Sequence, residues 1–293
     1  MYVATLLTNP ARPLLDATAI ESLRDAWGGG VAEWLNPGIA AEFPMEMVPA
    51  NRWQVWQDFQ AQGIDLAIQP AKGRQKHMLL ADMDSTMIEQ ECIDELADEA
   101  GVGAYVADIT ARAMNGELEF EDALRERVAL LKGLDESVIT KVLEKRITFT
   151  PGGRELIATM KARGGYAVLV SGGFTAFTAH VAEALGFDEN RANTLLAESG
   201  KLTGAVAEPI LGRDAKVAAL DEITARLGLQ ASDVIAVGDG ANDLGMLDRA
   251  GAGVALHAKP AVAAQCDLRV NHGDLTALLY LQGYRIDDFV SEL

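Results

Sequence analysis

The stretch that decides the fold is residues 77–86, which read HMLLADMDST. Its apolar first half predicts a strand buried on both faces, and Asp82 and Asp84 follow at once. Aspartates at positions i and i+2 of an extended segment point the same way, so their carboxylates repel unless a cation such as Mg²⁺ lies between them. An ionised aspartate is also a nucleophile that can form an aspartyl-phosphate. Alone, such a pair is more often a helix N-cap and a turn carboxylate. The whole pentad DMDST at residues 82–86, placed directly after a buried strand, instead favours a catalytic or metal-binding role.

Four more apolar runs repeat this design further along the chain. They lie at residues 166–170, 234–237, 252–256 and 268–270, and each is followed by a turn rich in glycine or aspartate and then a helix. Uninterrupted apolar strands that alternate with helices indicate a parallel sheet. The predicted fold class is therefore α/β with a Rossmann-like parallel sheet. The active site of such a sheet lies at the carboxyl ends of its strands.

One strand end and one helix start carry residues suited to binding phosphate. The run 166–170 leads into Ser171 and Gly172, and a small hydroxyl followed by glycines exposes backbone N–H groups to an anion. Lys216, at the start of a predicted helix, would supply a compact positive charge. Taken singly, Ser171 fits a helix cap equally well, and Lys216 fits a surface lysine better.

The run 234–237 leads into the nonapeptide GDGANDLGM at residues 238–246. Its glycines leave room for close approach, and Asn242 can donate its side-chain amide. Asp239 and Asp243 are separated by one helical turn. A purely structural turn rarely combines these features, so the nonapeptide predicts a binding or catalytic loop.

Together these four segments, in this order, resemble the four motifs of the haloacid dehalogenase phosphatase superfamily. The resemblance implies that Asp82 is the nucleophile, and that Asp84 is the general acid for the leaving alcohol and then the base for water. It also implies a Mg²⁺ ion bound by Asp82, by the main-chain carbonyl of Asp84 and by Asp239, with Asp243 in support. The other segments would bind the phosphoryl group through Ser171, Gly172, Lys216 and Asn242, and Lys216 would also hold Asp82.

The sequence pattern divides the chain into a small unit, residues 1–75, and a larger one, residues 76–293. The small unit reads as a strand at 3–7, a helix at 14–27, an irregular stretch to Val48, a helix at 51–62 with Asn51 as N-cap, and a strand at 65–69. This order is typical of an α+β ferredoxin-like domain. It resembles ACT-like regulatory domains in size and element order alone, and a dimerisation or purely structural role fits it as well. A polar, basic linker at 71–76 follows.

Residues 88–148 interrupt the strand–helix alternation and read as an inserted helical cap. Segments within residues 87–128 resemble the phosphoserine phosphatases of that superfamily, and the likeness extends over residues 77–275. It implies that Glu91 meets a substrate ammonium group and Arg127 its carboxylate, while Met114 and Phe120 close the pocket. Without the family, Glu91 reads as a solvated acid, Arg127 as a surface cation, and Met114 and Phe120 as core residues.

The activity that these likenesses imply is Mg²⁺-dependent hydrolysis of O-phospho-L-serine through an aspartyl-phosphate, the last step of serine synthesis. Two alternatives stay open. One is a related phosphatase or a phosphotransferase that acts on another small metabolite, such as a homoserine phosphate. The other is an amino-acid sensor that works through the N-terminal unit.

The charge balance narrows the possible partners. The 43 Asp+Glu against 25 Lys+Arg give a net charge of −18, which disfavours nucleic acid and anionic membranes as partners. Cys92 and Cys266 form no disulfide or zinc pattern, and the N-terminus lacks the features of a signal peptide, so we expect a cytoplasmic protein. Its partner would be a small phosphorylated amino acid, and a homodimer is possible.

Overall fold

The N-terminal unit, residues 1–75 of the computed structural model, forms an antiparallel sheet with two helices. The structure describes residues 1–291. In chain order the elements are β1 (Tyr2–Leu7), α1 (Ala17–Trp27), β2 (Glu33–Asn36), β3 (Ala40–Met45), α2 (Arg52–Gln60) and β4 (Asp65–Pro70). The strand order is β2-β3-β1-β4. This is the ferredoxin-like βαββαβ arrangement that the sequence pattern predicts.

The stretch before Val48 is less irregular than predicted, because it contains the strands β2 and β3. Pro44 argues against a strand, since proline cannot donate to the ladder of a sheet. However, β2 pairs only with residues 40–42 of β3, so β3 has a free edge beyond that point and tolerates proline. Asn51 occupies the expected N-cap position of α2, but its side chain makes no capping hydrogen bond.

The larger unit begins with β5 (Met78–Ala81), the first of the predicted buried strands, and continues into the predicted cap. The cap contains four helices, α3 (Cys92–Glu99), α4 (Gly103–Met114), α5 (Phe120–Ala129) and α6 (Ser137–Lys145). Its two linkers run side by side: Ile88 forms a β-bridge with Phe149, and the Glu89 N–H donates to the Thr148 carbonyl at 3.0 Å. The cap therefore leaves and rejoins the sheet at one place.

After the cap, strands and helices alternate as the apolar runs predict, except for three consecutive strands within residues 189–206. The elements are α7 (Gly153–Ala162), β6 (Tyr166–Phe174), α8 (Thr175–Leu185), β7 (Glu189–Asn193), β8 (Leu195–Glu198), β9 (Lys201–Val206), α9 (Arg213–Leu227), β10 (Val234–Gly238), α10 (Leu244–Arg249), β11 (Ala252–Leu256), α11 (Pro260–Ala263), β12 (Leu268–Val270) and α12 (Ala277–Leu281). Six strands form a sheet of order β12-β11-β10-β5-β6-β7, and its strand pairs are parallel. The predicted α/β fold class is confirmed.

Both faces of the parallel sheet are buried, as the uninterrupted apolar strands require. On β5, Met78 and Leu80 pack into one hydrophobic cluster, while Leu79 and Ala81 pack into the cluster on the opposite face. In the part of the chain that the structure describes, no helix combines the length and apolar character needed to cross a membrane.

The two units are joined by a buried carboxylate at the start of β4. Asp65 is fully buried, and its oxygens accept the backbone N–H groups of Asn271, His272 and Gly273, each at 2.9 Å. Gln60 donates to the same carboxylate at 3.1 Å. Three backbone donors from the larger unit thus end on one side chain of the N-terminal unit.

The linker at 71–76 is less solvated than its polar composition predicts. Lys76 is buried, and its ammonium donates to the carbonyls of Gly73 at 2.8 Å and Ser232 at 2.7 Å. Arg74 forms an ion pair with Glu42 of β3 at 2.5 Å. Tertiary contacts that no local pattern reveals therefore fix this segment against both units.

Candidate active site

The first, second and fourth motifs converge because their strands are neighbours in the sheet. β5 lies between β10 and β6, so the residues that follow these parallel strands meet at one edge. The Asp82 N–H donates to the carbonyl of Val237 at 3.0 Å, which extends the β5–β10 pairing into the motif. Asp82, Ser171 and Asp239 are all buried at this edge.

Lys216 joins the site from α9 and is fully buried, so it is not a surface lysine. Its ammonium lies 2.5 Å from Asp82 Oδ1 and 2.6 Å from Asp243 Oδ1. Burial lowers the pKa of Lys216, but the carboxylates of Asp243 and Asp82 raise it by more. The pKa of Lys216 is therefore raised overall, and the side chain is a fixed cation beside the first motif.

Three acidic side chains of this site form a group that could hold a metal ion. Asp82, Asp239 and Asp243 each offer an oxygen, and these oxygens lie within 4.8 Å of one another. Asp239 Oδ2 is buried and accepts no hydrogen bond, while Lys259 Nζ lies 3.6 Å from it. A buried carboxylate oxygen without a donor is suited to a cation, because leaving it unpaired is costly. The donor set thus fits a hard divalent ion.

The members of this acidic group differ in how free they are. Both oxygens of Asp243 are occupied: Oδ1 by Lys216, and Oδ2 by the N–H groups of Asp239 at 3.1 Å and Gly240 at 3.0 Å. Burial and the charge of Asp243, opposed by Lys259, together raise the pKa of Asp239 to about 7. Asp239 is therefore the less occupied of these two carboxylates, and Asp243 shapes the loop that presents it.

The Asp84 side chain is directed away from this acidic group. Its Oδ1 accepts the Cys92 N–H at 2.9 Å, and its Oδ2 accepts the Ser171 hydroxyl at 3.2 Å. Burial raises the pKa of Asp84, although the hydrogen bonds from Cys92 and Ser171 oppose the shift. Asp84 thus lies between the first and second motifs and can exchange a proton there.

The glycines of the second motif leave no room for a side chain. A Cβ on Gly172 would lie 2.5 Å from the Phe120 ring, and one on Gly173 would lie 2.5 Å from Asp84 Oδ2. Asn242 Oδ1, from the fourth motif, is buried and has no hydrogen-bond partner. The backbone of the second motif therefore packs closely against the cap and against Asp84.

The predicted cap residues line one cavity together with the aspartates of the first motif. Glu91, Arg127, Met114 and Phe120 share this cavity with Asp82, Asp84, Gly172 and Asn242. Arg127 is only 5% exposed, so it is not a helix-surface cation, and Glu91 is half-buried and lines the cavity. Burial raises the pKa of the Glu91 carboxyl well above its usual range, and the charge of Asp84 adds to this.

Several residues around the site were not predicted from the sequence. The Ser85 hydroxyl donates to Glu91, and the Thr110 hydroxyl accepts from Arg127. Thr86 donates to Asp239 at 3.4 Å, and Lys259 lies beside the same carboxylate. Ser85 and Thr86 belong to the quoted pentad, so their position was a usable signal. Nothing local distinguishes Thr110 or Lys259 from other polar residues.

Comparisons with known proteins agree with the fold. A family model described as haloacid dehalogenase-like hydrolase matches residues 79–248. A phosphoserine phosphatase from Archaeoglobus fulgidus is 43% identical over 218 residues, which cover 74% of this chain and 63% of that protein. This chain thus spans less than two thirds of that relative.

Two solved structures extend the likeness to three dimensions. A HAD-family hydrolase from Salmonella enterica subsp. enterica serovar Typhi has a TM-score of 0.83 at 29% identity, over 96% of this chain and 97% of that chain. A phospho-aspartyl intermediate analogue of phosphoserine phosphatase has a TM-score of 0.68 at 42% identity, over 70% of this chain and 98% of that one. The chain belongs to the haloacid dehalogenase-like hydrolase family. Within that family, the relatives that it matches include phosphoserine phosphatases.

Proposed function

We propose that the protein hydrolyses O-phospho-L-serine to L-serine and phosphate through a phosphorylated Asp82. One observation carries the proposal: a single cavity is lined by Asp82 at the sheet edge, which we call its floor, and by the acidic Glu91 and the basic Arg127 of the helical cap. A phosphorylated amino acid has the complementary groups, since its phosphoryl group suits the floor and its ammonium and carboxylate suit the cap. Met114 and Phe120 would enclose the short carbon skeleton between them.

The first step is the transfer of the phosphoryl group to Asp82. A carboxylate oxygen of Asp82 attacks phosphorus, the bond from phosphorus to the serine oxygen breaks, and Asp84 gives its proton to that oxygen. The raised pKa of Asp84, caused by its burial, favours the protonated form that this step needs. Lys216, the Ser171 hydroxyl and the backbone at Gly172 would bind the phosphoryl oxygens, with Asn242 beside them.

The second step frees the enzyme. Asp84, now ionised, takes a proton from a water molecule as that water attacks phosphorus, and the bond to Asp82 breaks to release phosphate. Asp82 returns to its carboxylate, held by Lys216 at 2.5 Å. Asp84 thus acts first as an acid and then as a base, which fits its position between the first and second motifs.

We propose Mg²⁺ as the metal, held by Asp82, Asp239 and the main-chain carbonyl of Asp84. The unpartnered Oδ2 of Asp239 supports this assignment, since Mg²⁺ prefers oxygen ligands and keeps several waters. When bound, the ion would offset the negative charge of the phosphoryl group. Asp243 would keep its supporting role through Lys216 and the loop N–H groups.

A phosphate-release screen tests the proposed function. Purified protein with Mg²⁺ is assayed against phosphorylated amino acids and sugar phosphates, and again after metal removal with a chelator. We expect phosphoserine to be the preferred substrate and the chelated protein to be inactive until Mg²⁺ is restored. Equal or faster hydrolysis of sugar phosphates would contradict the substrate, and full activity without metal would contradict the Mg²⁺ site.

We also propose that residues 1–75 and 76–293 are separate domains and that the protein works in the cytoplasm. Residues 292–293 lie outside the described part of the chain. Each unit has its own sheet, and the N-terminal sheet has its own hydrophobic cluster. Cys92 and Cys266 are free, buried thiols, which fits a reducing compartment.

A further inference from the structure

We propose that two hydroxyl residues, Ser85 and Thr110, position the charged side chains that recognise the substrate. Ser85 would orient Glu91 toward the ammonium group, and Thr110 would orient Arg127 toward the carboxylate. Together they would set the preference for amino-acid phosphates. This inference rests on the proposed function, and it goes further by assigning each recognition contact to a separate supporting residue.

Ser85 supports Glu91 from the loop of the first motif. Its hydroxyl donates to Glu91 Oε1 at 2.6 Å, and its N–H donates to the Gln90 carbonyl at 3.1 Å. Its φ of 53° is in the left-handed region, which is uncommon for a residue with a side chain. In this backbone conformation the Ser85 hydroxyl lies within hydrogen-bonding distance of Glu91.

Glu91 has no competing local role. It occupies the N-cap position of α3, but its side chain makes no capping hydrogen bond. One carboxylate oxygen is held by Ser85, and the side chain lines the cavity. A carboxylate fixed at one oxygen is pre-organised for a cation at the other, because less rotamer entropy is lost on binding.

Thr110 supports Arg127 from the neighbouring helix α4. Arg127 Nη1 donates to the Thr110 hydroxyl at 3.0 Å, and Arg127 Nε donates to the Ala123 carbonyl at 3.0 Å. The Thr110 hydroxyl lies 2.6 Å from Asp94 Oδ1, to which it donates in turn. Thr110 and Arg127 are both buried. Two of the five guanidinium N–H groups are thus used for position, which leaves three for other partners, and Arg127 lines the cavity.

The two supports are independent of each other, since they lie on different elements and touch different charged groups. Loss of one should therefore weaken recognition of one substrate group alone. A merely structural role would instead weaken binding of every substrate to a similar degree. This difference makes the two roles separable by substrate analogues.

The experiment compares Ser85→Gly and Thr110→Val with the unmodified protein on three ligands. Glycine removes the hydroxyl but tolerates the positive φ, and valine has nearly the shape of threonine. The ligands are phosphoserine, 3-phosphoglycerate, in which a hydroxyl replaces the ammonium, and O-phosphoethanolamine, which lacks the carboxylate. Binding is measured as KM or, for slow substrates, as the inhibition constant.

We expect a crossed pattern. Ser85→Gly should weaken phosphoserine and O-phosphoethanolamine roughly tenfold more than 3-phosphoglycerate, the size of one charge-assisted hydrogen bond. Thr110→Val should weaken phosphoserine and 3-phosphoglycerate roughly tenfold more than O-phosphoethanolamine. Thr110→Ser, which keeps the hydroxyl, should recover most of the loss, and Ser85→Ala should show the same selectivity as Ser85→Gly.

Uniform weakening of all three ligands, or no weakening, would overturn the inference. Failure of the proposed function is recognised separately, because it appears in the unmodified protein as no preference for phosphoserine over the two analogues. If a variant is poorly folded, circular dichroism detects this, and Thr110→Ala and Ser85→Ala, which also lack the hydroxyl, then decide between the outcomes.

Discussion

Replacing Asp65 by alanine tests how firmly the N-terminal unit is held to the parallel sheet. The carboxylate is fully buried and accepts three backbone N–H groups of residues 271–273, each at 2.9 Å. A buried donor left without a partner costs about 1–3 kcal/mol. Three such donors would cost roughly 3–9 kcal/mol if they were independent, but relaxation and entry of water reduce the sum. We therefore expect a loss of about 3 kcal/mol, near the lower bound.

Urea unfolding measures this loss, and the chain offers a specific probe. All four tryptophans, at positions 27, 34, 53 and 56, belong to the N-terminal unit, so intrinsic fluorescence follows that unit while circular dichroism follows the whole chain. Asp65→Asn is the matched variant, because it keeps the side-chain volume but replaces one acceptor oxygen by a donor. We expect it to be destabilised as well.

Asp267→Ala is the control for this prediction. Asp267 also joins the two units, but its side chain is 77% exposed and lies 3.4 Å from Arg52. An exposed ion pair of this kind contributes less than about 1 kcal/mol. If Asp65→Ala lowers the free energy of unfolding no more than Asp267→Ala does, the buried Asp65 carboxylate does not hold the two units together.

Three further predictions concern the site. Asp82→Asn should abolish turnover and the acid-trapped phosphoenzyme seen with labelled phosphoserine; a phosphoenzyme in the variant would exclude Asp82 as nucleophile. Because burial raises the pKa of Asp239 to about 7, a proton must leave before metal binds, so metal affinity should fall about tenfold per pH unit below that value. Calorimetry of the metal-free protein checks this, and pH-independent binding would contradict it. Gly172→Ala places a Cβ 2.5 Å from the Phe120 ring, so KM should rise, and adding Phe120→Leu should recover part of the loss; an unchanged KM would refute the close packing.

The parts of the fold that could be predicted are those whose strands and helices have a clear pattern in the local sequence. The central strands β5, β6 and β10 are uninterrupted apolar runs, because both faces of the sheet are covered. The edge strand β7, with the sequence ENRAN, and the hairpin of β8 and β9 were missed. Edge strands carry polar residues, so tertiary pairing rather than composition determines them.

The candidate site divides in the same way. The motif residues were predictable because one glycine-rich or acidic segment follows each strand, and parallel strands bring such segments together. The supporting contacts were not, since Thr86 meets Asp239 across 153 positions of the chain. The left-handed conformation of Ser85 has no signal either, because serine gives no hint of the φ that its surroundings impose.

The paired linkers at Ile88 and Phe149 make the cap a replaceable module. Since both linkers lie side by side, excision of the cap would leave a gap that a short turn could close without shifting any strand of the sheet. A different insert could be accepted at the same place, provided that it replaces the N–H that Cys92 of the cap donates to Asp84. Under the proposed function, the reaction would belong to the sheet edge and the choice of substrate to the cap, so grafting another cap would be a route to new substrates without rebuilding the core.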